Sequence, residues 1–256
     1  MGRGRRTDSS RPVFEGNGYV LVDKPMEWTS FDVVNCVRSH FNMKKVGHCG
    51  TLDPAATGLL IVVFGKFTKL SQKLSGQDKS YDARMLIGTE TDSHDLDGKI
   101  VAEKDYSSIT EEQLHNVIMS YQGEQKQIPP MVSALKKGGK KLCDLARKGI
   151  VIEREARPIT VHTIEVTKLD IPYAEYSVCC SKGTYIRSLC YDMGNDLGCG
   201  ATLAGLHRTR SGEFDVADAV DIETLKSWDA EQFRQHTETL YESKKELFTE
   251  LTEEQS

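Results

Sequence analysis

Residues 47–64, GHCGTLDPAATGLLIVVF, constrain the fold of this chain more than any other stretch. The last six form a continuous apolar run, which is typical of a strand buried on both faces. In the turn before them, Gly50 and Gly58 allow backbone conformations and close approaches that a Cβ would block. Pro54 favours an extended backbone at Asp53. The segment therefore predicts a carboxylate held on a rigid turn at the end of a buried strand.

This turn belongs to a series of short motifs in a fixed order. An isolated Leu-Asp-Pro would indicate an ordinary turn, but residues 47–60 match the longer pattern G-H-x-G-x-L-D-P-x-A-T-G-x-L. Further blocks are VDKP at 22–25, KSYD at 79–82, TETD at 89–92, IPPM at 128–131, SALK at 133–136, GTYIRSL at 183–189 and GCGA at 198–201. Over about residues 18–212 the chain resembles the TruB family of tRNA pseudouridine synthases.

Strands and helices alternate irregularly, which indicates an α+β fold with a mixed, mostly antiparallel sheet. Strands are predicted at residues 19–22, 59–64, 80–88, 159–169 and 176–180, with a hairpin turn at 92–98. Helices are predicted after the capping pairs Thr29 with Asp32 and Thr110 with Gln113, and after the Gly183 turn. In the first helix the apolar residues at helical spacing are Phe31, Val34, Val37 and Phe41. The resemblance implies the pseudouridine synthase fold, in which helices flank a central sheet and the active-site cleft crosses that sheet.

Charge is divided unevenly along the chain, whose formal net charge is −5. Residues 213–256 carry 13 acidic and 4 basic side chains, which leaves 29 basic and 25 acidic side chains in residues 1–212. Basic clusters at 3–11, 44–45, 136–141 and 207–210 are each typical of a solvated face or of a nucleic-acid contact. We therefore expect a flexible basic arm at 1–17, a catalytic domain at 18–220 and an acidic helical tail at 221–256. The resemblance ends at this tail, which is too short for the PUA RNA-binding domain that many family members carry.

Several classes of protein are excluded by what the sequence lacks. No apolar run approaches the ~20 residues of a membrane helix, and the N-terminus lacks the apolar core of a secretory signal. The seven cysteines show no Cys-x-x-Cys pair and no zinc-site spacing, which predicts reduced thiols. Residues 93–104 place Lys104 where a calcium loop needs Glu, and no complete dinucleotide fingerprint is present. We expect a cytoplasmic protein, with an organelle matrix or the nucleus as alternatives, that uses no metal or other cofactor.

The resemblance implies three catalytic residues. Asp53 is the nucleophile, attacking either the ribose C1′ or the uracil C6 so that the base can rotate and reattach through C5. Arg187, in the GTYIR motif, pairs with Asp53 and keeps it ionised in an apolar pocket. Tyr81 stacks on the extruded base and takes part in its proton transfer. Judged by pattern alone, Tyr81 would be a packing residue on a strand, and Arg187 would be as consistent with the solvated side of a helix.

Six further residues are expected to bind the RNA. By resemblance, Leu206 lines the other side of the base pocket, although its pattern alone predicts a core residue. His48 inserts into the RNA loop, and Lys24 and Pro25 shape the pocket floor. The remaining two are Lys79 in KSYD and Lys136 in SALK. The basic run at 136–141 is consistent with phosphate contacts and equally with a solvated hairpin tip.

The function implied is conversion of a uridine, most specifically position 55 in the T-loop of tRNA, to pseudouridine by a monomeric enzyme without cofactor. The same reaction on ribosomal or messenger RNA is one alternative. A second is an RNA-binding folding factor whose catalysis is incidental. A third is a hydrolase that uses Asp53 and His48 as an acid/base pair and releases uracil or a nucleoside.

Overall fold

The computed structural model describes residues 12–133, 135–146 and 149–253. The chain divides into two compact units, of which unit 1 comprises residues 1–77 and 207–256 and unit 2 comprises residues 78–206. This division cuts through the domain expected at 18–220. It also joins the C-terminal segment to the N-terminal strands.

Thirteen strands are described: β1 (Gly18–Lys24), β2 (Val46–Cys49), β3 (Ala56–Phe64), β4 (Lys79–Ile87), β5 (Thr89–Thr91), β6 (Ile100–Glu103), β7 (Gly123–Gln127), β8 (Lys136–Lys137), β9 (Lys140–Lys141), β10 (Arg157–Asp170), β11 (Tyr173–Cys180), β12 (Ala201–Ser211) and β13 (Phe214–Asp215). The α-helices in the described residues are α1 (Ser30–His40), α2 (Ser71–Ser75), α3 (Glu111–Ser120), α4 (Leu142–Ala146), α5 (Ile186–Leu197), α6 (Ile222–Ser227), α7 (Ala230–Ser243) and α8 (Lys245–Glu253). Two 3₁₀ segments lie at Gly65–Leu70 and Val216–Asp218.

The core of unit 1 is built on β3, which pairs antiparallel with both β1 and β2. Alternate residues of β1 and β3 enter two different apolar clusters, because successive side chains of a strand point to opposite faces. Val20 and Val62 pack with α1, whereas Leu21 and Ile61 pack with the segment that includes Leu74 of α2. The apolar run is therefore buried on both faces, as predicted.

Helix α1 begins at the predicted capping box, in which Thr29 and Asp32 each accept a hydrogen bond from the other's backbone N–H. Its buried face differs from the prediction. Val33, Val34 and Val37 are buried, whereas the Phe31 side chain is 56% exposed. At about 100° per residue, Val33, Val34 and Val37 lie around a direction roughly 110° from Phe31, so a stripe centred on these valines turns Phe31 away from the core.

The C-terminal segment forms the predicted helices, but it is part of the core of unit 1. Phe233 of α7 is fully buried in the cluster on the α1 side of the strands. Phe248 of α8 is buried in the cluster on the opposite side, where its ring centroid lies 4.8 Å from that of Tyr19. The apolar residues that look sparse in the acidic sequence thus cover both faces of β1 and β3.

The residues just before β1 are packed, which corrects part of the expected arm at 1–17. The ring of Phe14 contacts Phe233 edge-on at 5.4 Å and Phe64 edge-on at 6.0 Å between centroids. A packed aromatic ring ties residues 12–17 to unit 1. Residues 1–11 of the expected arm lie outside the described residues.

Unit 2 contains the antiparallel strand order β4-β11-β10-β7. Its predicted strands and the helices α3 and α5 are confirmed, and β5 and β6 form the hairpin predicted around residues 92–98. Isolated parallel bridges join Val22 to Val220 in unit 1 and Asp95 to Leu203 in unit 2. The prediction of an α+β fold with a mixed, mostly antiparallel sheet is confirmed.

Strand β12 was not predicted. Its sequence, ATLAGLHRTRS, has neither a continuous apolar run nor a clean alternation of apolar and polar residues. Residues 207–210 were interpreted instead as a basic surface cluster.

In the described parts of the chain, no helix combines the length and the apolar character that a membrane crossing requires.

Candidate active site

Asp53 lies in the turn between β2 and β3, and its side chain is half-buried. Its carbonyl oxygen accepts a hydrogen bond from the Ala56 N–H at 3.1 Å. The hydroxyl of Ser30, at the start of α1, accepts from the Leu52 N–H at 2.9 Å and donates to the Leu52 carbonyl at 3.2 Å. A buried hydroxyl thus fixes the peptide units directly before Asp53.

Lys24 lies against the same turn, with a side chain that is 0% exposed. Its Nζ donates to three carbonyl oxygens, those of Trp28 at 2.6 Å, Pro25 at 2.8 Å and Pro54 at 3.3 Å. Burial lowers the pKa of Lys24 to about 8, although the nearby Asp53 carboxylate opposes this shift. The structure therefore brings Lys24, the half-buried Pro25 and the Asp53 turn together in unit 1.

Arg208 of β12 also lies against this turn, and sequence reasoning missed it. Its side chain is 1% exposed, and its Nε donates to the Leu59 carbonyl at 2.7 Å. Its Nη2 donates to the Gly50 carbonyl at 3.1 Å. In the sequence, Arg208 appears only as one member of the basic cluster 207–210, and such clusters are more typical of solvated side chains.

His48 lies on β2, opposite Val62 of β3, and is half-buried. Burial lowers the pKa of His48, and the charge of Arg208 lowers it further, although a backbone hydrogen bond with Gly50 acts in the opposite direction. Burial and the Arg208 charge therefore favour the neutral form of the ring. A neutral, half-exposed imidazole can stack among bases without bringing a charge into them.

Arg187 lies in the first turn of α5 in unit 2 and is 3% exposed, which excludes the solvated position considered from its pattern. Its Nη2 donates to the Val132 carbonyl at 2.6 Å. Its Nη1 lies 3.4 Å from the Ser93 carbonyl and 3.7 Å from Oδ2 of Asp95. The guanidinium is thus held by main-chain oxygens and a buried carboxylate.

Asp95 is the second residue that sequence reasoning missed as part of the site, since its segment, residues 93–104, was considered only as a calcium loop. It is buried in the turn between β5 and β6, where Ser93 Oγ donates to its Oδ1 at 2.5 Å. The Thr91 hydroxyl donates to its carbonyl at 2.6 Å. These contacts fix the carboxylate that faces Arg187.

A second turn of unit 2 is fixed by an amide side chain. Nε2 of the buried Gln127 donates to the Tyr185 carbonyl at 3.0 Å, and its Oε1 accepts from the Tyr185 N–H at 2.8 Å. This reciprocal pair imitates a strand pairing. It holds the backbone two residues before Arg187.

Lys79 and Tyr81 lie on the buried face of β4, opposite Cys180 and Val178 of β11. Leu206 is half-buried on β12 and is not the core residue that its pattern predicted. Unit 2 thus holds Lys79, Tyr81, Arg187 and Leu206, and unit 1 holds Lys24, Pro25, His48 and Asp53.

The side chain of Lys136 lies outside the described residues. The backbone of the basic run forms a small hairpin from β8 and β9, with Gly138 and Gly139 in the left-handed region. Within residues 12–133, 135–146 and 149–253, no three His, Cys, Asp or Glu side chains lie close enough together to hold a metal ion.

Two family models match the chain in succession. One is described as TruB family pseudouridylate synthase (N terminal domain) and matches residues 38–186, more than half of the chain. The chain belongs to the TruB family of pseudouridylate synthases. The other, described as the tRNA pseudouridylate synthase B C-terminal domain, matches residues 187–243. The family likeness therefore continues beyond residue 220, where the sequence led us to expect its end.

Curated relatives of this TruB-family chain are similar over most of their length. The tRNA pseudouridine synthase B of Clostridium tetani (strain Massachusetts / E88) is 48% identical over 217 residues, which cover 85% of this chain and 75% of the relative. The tRNA pseudouridine synthase B of Endomicrobium trichonymphae is 47% identical over 213 residues, which cover 83% of this chain and 93% of the relative.

Solved structures support the pseudouridine synthase fold. A chain in the crystal structure of a Cbf5-Nop10-Gar1 complex superposes with a TM-score of 0.66 at 31% identity, covering 82% of this chain and 54% of that one. A chain in the structure of an H/ACA RNP bound to a substrate RNA containing 2′-deoxyuridine gives a TM-score of 0.62 at 28% identity, covering 82% and 53%. This TruB-family chain thus spans about half the length of these solved chains, and it has their fold over that part.

Proposed function

We propose that this TruB-family chain converts a uridine of tRNA, at position 55 in the T-loop, to pseudouridine without a cofactor. The observation that carries the proposal is the half-buried carboxylate of Asp53 on a turn whose neighbouring residues are fixed by Ser30 and Lys24. Relatives that are 48% and 47% identical and named tRNA pseudouridine synthase B support tRNA as the substrate.

Asp53 serves as the nucleophile in this proposal. Its carboxylate attacks C1′ of the ribose or C6 of the uracil, and the covalent link frees the base to rotate. In the net reaction the bond between N1 and C1′ breaks and a bond between C5 and C1′ forms. The hydrogen on C5 leaves as a proton, and N1 gains a proton. The product therefore has the same mass as the substrate.

Arg187 keeps Asp53 ionised in the proposed reaction, because an adjacent cation opposes the effect of desolvation on a carboxyl group. The contacts with Val132 and Asp95 support this role, since they hold the guanidinium in one orientation before substrate arrives. Tyr81 stacks on the extruded base and takes part in its proton transfer. Tyr81 lies on the face of a strand rather than on a loop, which supports the proposal that its ring is held in one position.

The remaining predicted residues contact the RNA in this proposal. His48 inserts among the displaced bases, Leu206 lines the base pocket, and Lys24 with Pro25 shapes its floor. Lys79 and Lys136 also bind the RNA in this proposal, and the basic run that contains Lys136 contacts its phosphates. A monomeric state and a cytoplasmic location stay predictions from the sequence.

The test measures tritium release from T-loop RNA that carries [5-³H]uridine, because isomerisation removes the hydrogen on C5. We expect release with the wild-type chain and none with Asp53→Asn, which keeps the shape of the side chain but lacks its charge. Asp218→Asn removes an exposed carboxylate of the same unit and should retain full activity. Mass spectrometry of the RNA accompanies each assay.

Three results would contradict the proposal. RNA binding without product from the wild-type chain would favour a folding factor. Free uracil would favour a hydrolase that uses Asp53 and His48. Product in ribosomal or messenger RNA but not in tRNA would support the proposed reaction but would show that tRNA is not its substrate.

A further inference from the structure

The turn that carries Asp53 is bound at both of its ends by one residue from a distant part of the sequence. We propose that Arg208 is a positioning residue that holds residues 50–59 in the shape that presents Asp53 for attack. This inference rests on the proposed function, because it assigns a role in the same reaction.

The guanidinium provides the first argument. Its Nη2 donates to the carbonyl of Gly50, three residues before Asp53, and its Nε donates to the carbonyl of Leu59, six residues after it. The rigid plane of the guanidinium fixes the separation between these two donors. One planar group therefore sets the distance between Gly50, directly after β2, and Leu59, the fourth residue of β3, and the Asp53 turn lies between these two residues.

The main chain of Arg208 provides an independent argument. Gly58 has a φ of +99°, and a Cβ built on it would clash with the backbone of Arg208. The backbone of β12 therefore lies directly against the start of β3, just after the turn. The preceding residue, His207, makes a further contact, with its Nδ1 2.9 Å from Oγ1 of Thr57.

Burial separates Arg208 from the other cations of its cluster. Arg210, two residues further along the same strand, is exposed. A buried guanidinium loses the solvation that an exposed one keeps, so its retention in an interior calls for a compensating role. Contacts with backbone carbonyls on both sides of the nucleophile supply such a role, because displacing the nucleophile by about 1 Å can cost about 100-fold in rate.

A lysine at this position keeps the positive charge but not the two-pronged geometry. Its single Nζ cannot reproduce two donors at the fixed spacing of Nε and Nη2. Arg208→Lys therefore separates the geometric role from the electrostatic one. Arg210→Lys is the matched control, because it makes the same chemical change on an exposed residue of the same strand.

The experiment uses the full chain and T-loop RNA carrying [5-³H]uridine, and it measures kcat, KM and the urea midpoint of unfolding for each variant. We expect Arg208→Lys to lower kcat by about 10- to 100-fold while KM stays within about twofold and the midpoint stays close to that of wild type. Arg210→Lys should match wild type in all three. A role in folding alone would lower the midpoint and leave the kcat of the folded fraction unchanged.

Where Arg208→Lys does not fold, the neutral Arg208→Gln removes the two-pronged donor without burying a misplaced charge. A kcat within threefold of wild type for folded Arg208→Lys or Arg208→Gln would overturn the proposal. So would a loss confined to KM. A wild-type chain that releases no tritium would instead overturn the proposed function, and the two failures are thereby distinguished.

Discussion

The two units hold their functional groups in opposite ways. In unit 1, the buried cations Lys24 and Arg208 bind carbonyl oxygens of the turn around Asp53, so side chains hold a piece of backbone. In unit 2, the turn containing Asp95 and the carbonyl of Val132 bind Arg187, so backbone and a neighbour hold one side chain. The first arrangement is therefore sensitive to crowding of the turn as well as to a change of the cations that support it, and the second is sensitive to a change of the cation that is held.

The largest effect on activity beyond Asp53 itself should come from Arg187→Lys. Lysine keeps the charge but loses the planar fork that reaches Val132 and Asp95 together. We expect kcat to fall by about 100- to 1000-fold, as for removal of a preorganised electrostatic partner, with RNA affinity nearly unchanged. Single-turnover tritium release and a filter-binding assay measure the two quantities.

Arg157→Lys is the control for that change, because Arg157 is exposed in the same unit. Full activity of Arg187→Lys would contradict the expectation that unit 2 depends on the geometry of the guanidinium, since it would show that positive charge alone suffices there.

Crowding at the turn in unit 1 should appear as lost stability in Gly58→Ala. The new Cβ would meet the Arg208 backbone in a left-handed conformation that alanine disfavours. We expect the free energy of unfolding to fall by about 3 kcal/mol, as for overpacking combined with backbone strain. Urea denaturation measures this loss.

Gly47→Ala is the matched control within the same motif. Its Cβ would meet only Val63 Cγ2, at an ordinary 3.9 Å, and Gly47 does not lie in the left-handed region. We expect a change below about 1 kcal/mol. Equal losses in the two variants would show that the turn is not the crowded element.

A smaller effect is expected when the support of Arg187 is weakened by Asp95→Asn. The amide keeps the shape of the side chain but removes the charge that faces Nη1 at 3.7 Å. We expect kcat to fall by about 10-fold, which corresponds to about 1.4 kcal/mol in the barrier. Asp97→Asn, an exposed change in the same turn, should have no effect. Unchanged kcat in Asp95→Asn would show that the carbonyl contacts alone hold Arg187.

The smallest effect is a pH dependence of stability near the same turn. Burial, and then the charges of Arg187 and Arg154, lower the pKa of His94 to about 4 from its ordinary 6.5. Between pH 6.5 and pH 4 the unfolded chain therefore binds more protons at this residue, so its contribution to stability is present above pH 6.5 and is lost on acidification. We expect a loss of about 1 kcal/mol over this range, allowing for partial exposure.

His94→Asn tests this assignment, because asparagine tolerates the left-handed φ of 67° at this position. Urea denaturation at pH 7 and pH 5 should show a shallower pH dependence in the variant than in the wild-type chain. An identical pH dependence would assign the titration to other groups.

The elements that could be predicted from sequence depend on residues close together in the chain. Both predicted capping boxes involve residues three positions apart, and the buried strand is indicated by six consecutive apolar residues. The motifs also singled out Asp53 and Arg187 as candidate catalytic residues, and those roles stay predictions. Local patterns carry this information because the start of a helix and the burial of a strand are decided by residues only a few positions apart in the sequence.

The elements that could not be predicted depend on distant partners. Arg208 binds Leu59, 149 residues earlier, and Arg187 meets Asp95 across a gap of 92 positions. Phe233 and Phe248 look like isolated apolar residues in an acidic stretch until the strands that they cover are known. Nothing in the immediate neighbourhood of these residues distinguishes a buried partner from a solvated side chain.

The use of N-terminal and C-terminal segments in unit 1 has a consequence for biosynthesis. Phe233 and Phe248 complete the two apolar clusters around β1 and β3, and the ribosome adds them after the whole of residues 78–206. Residues 78–206, by contrast, form a continuous stretch that is available to collapse earlier. The nascent N-terminal strands must therefore wait, incompletely covered, until Phe233 and Phe248 have been synthesised.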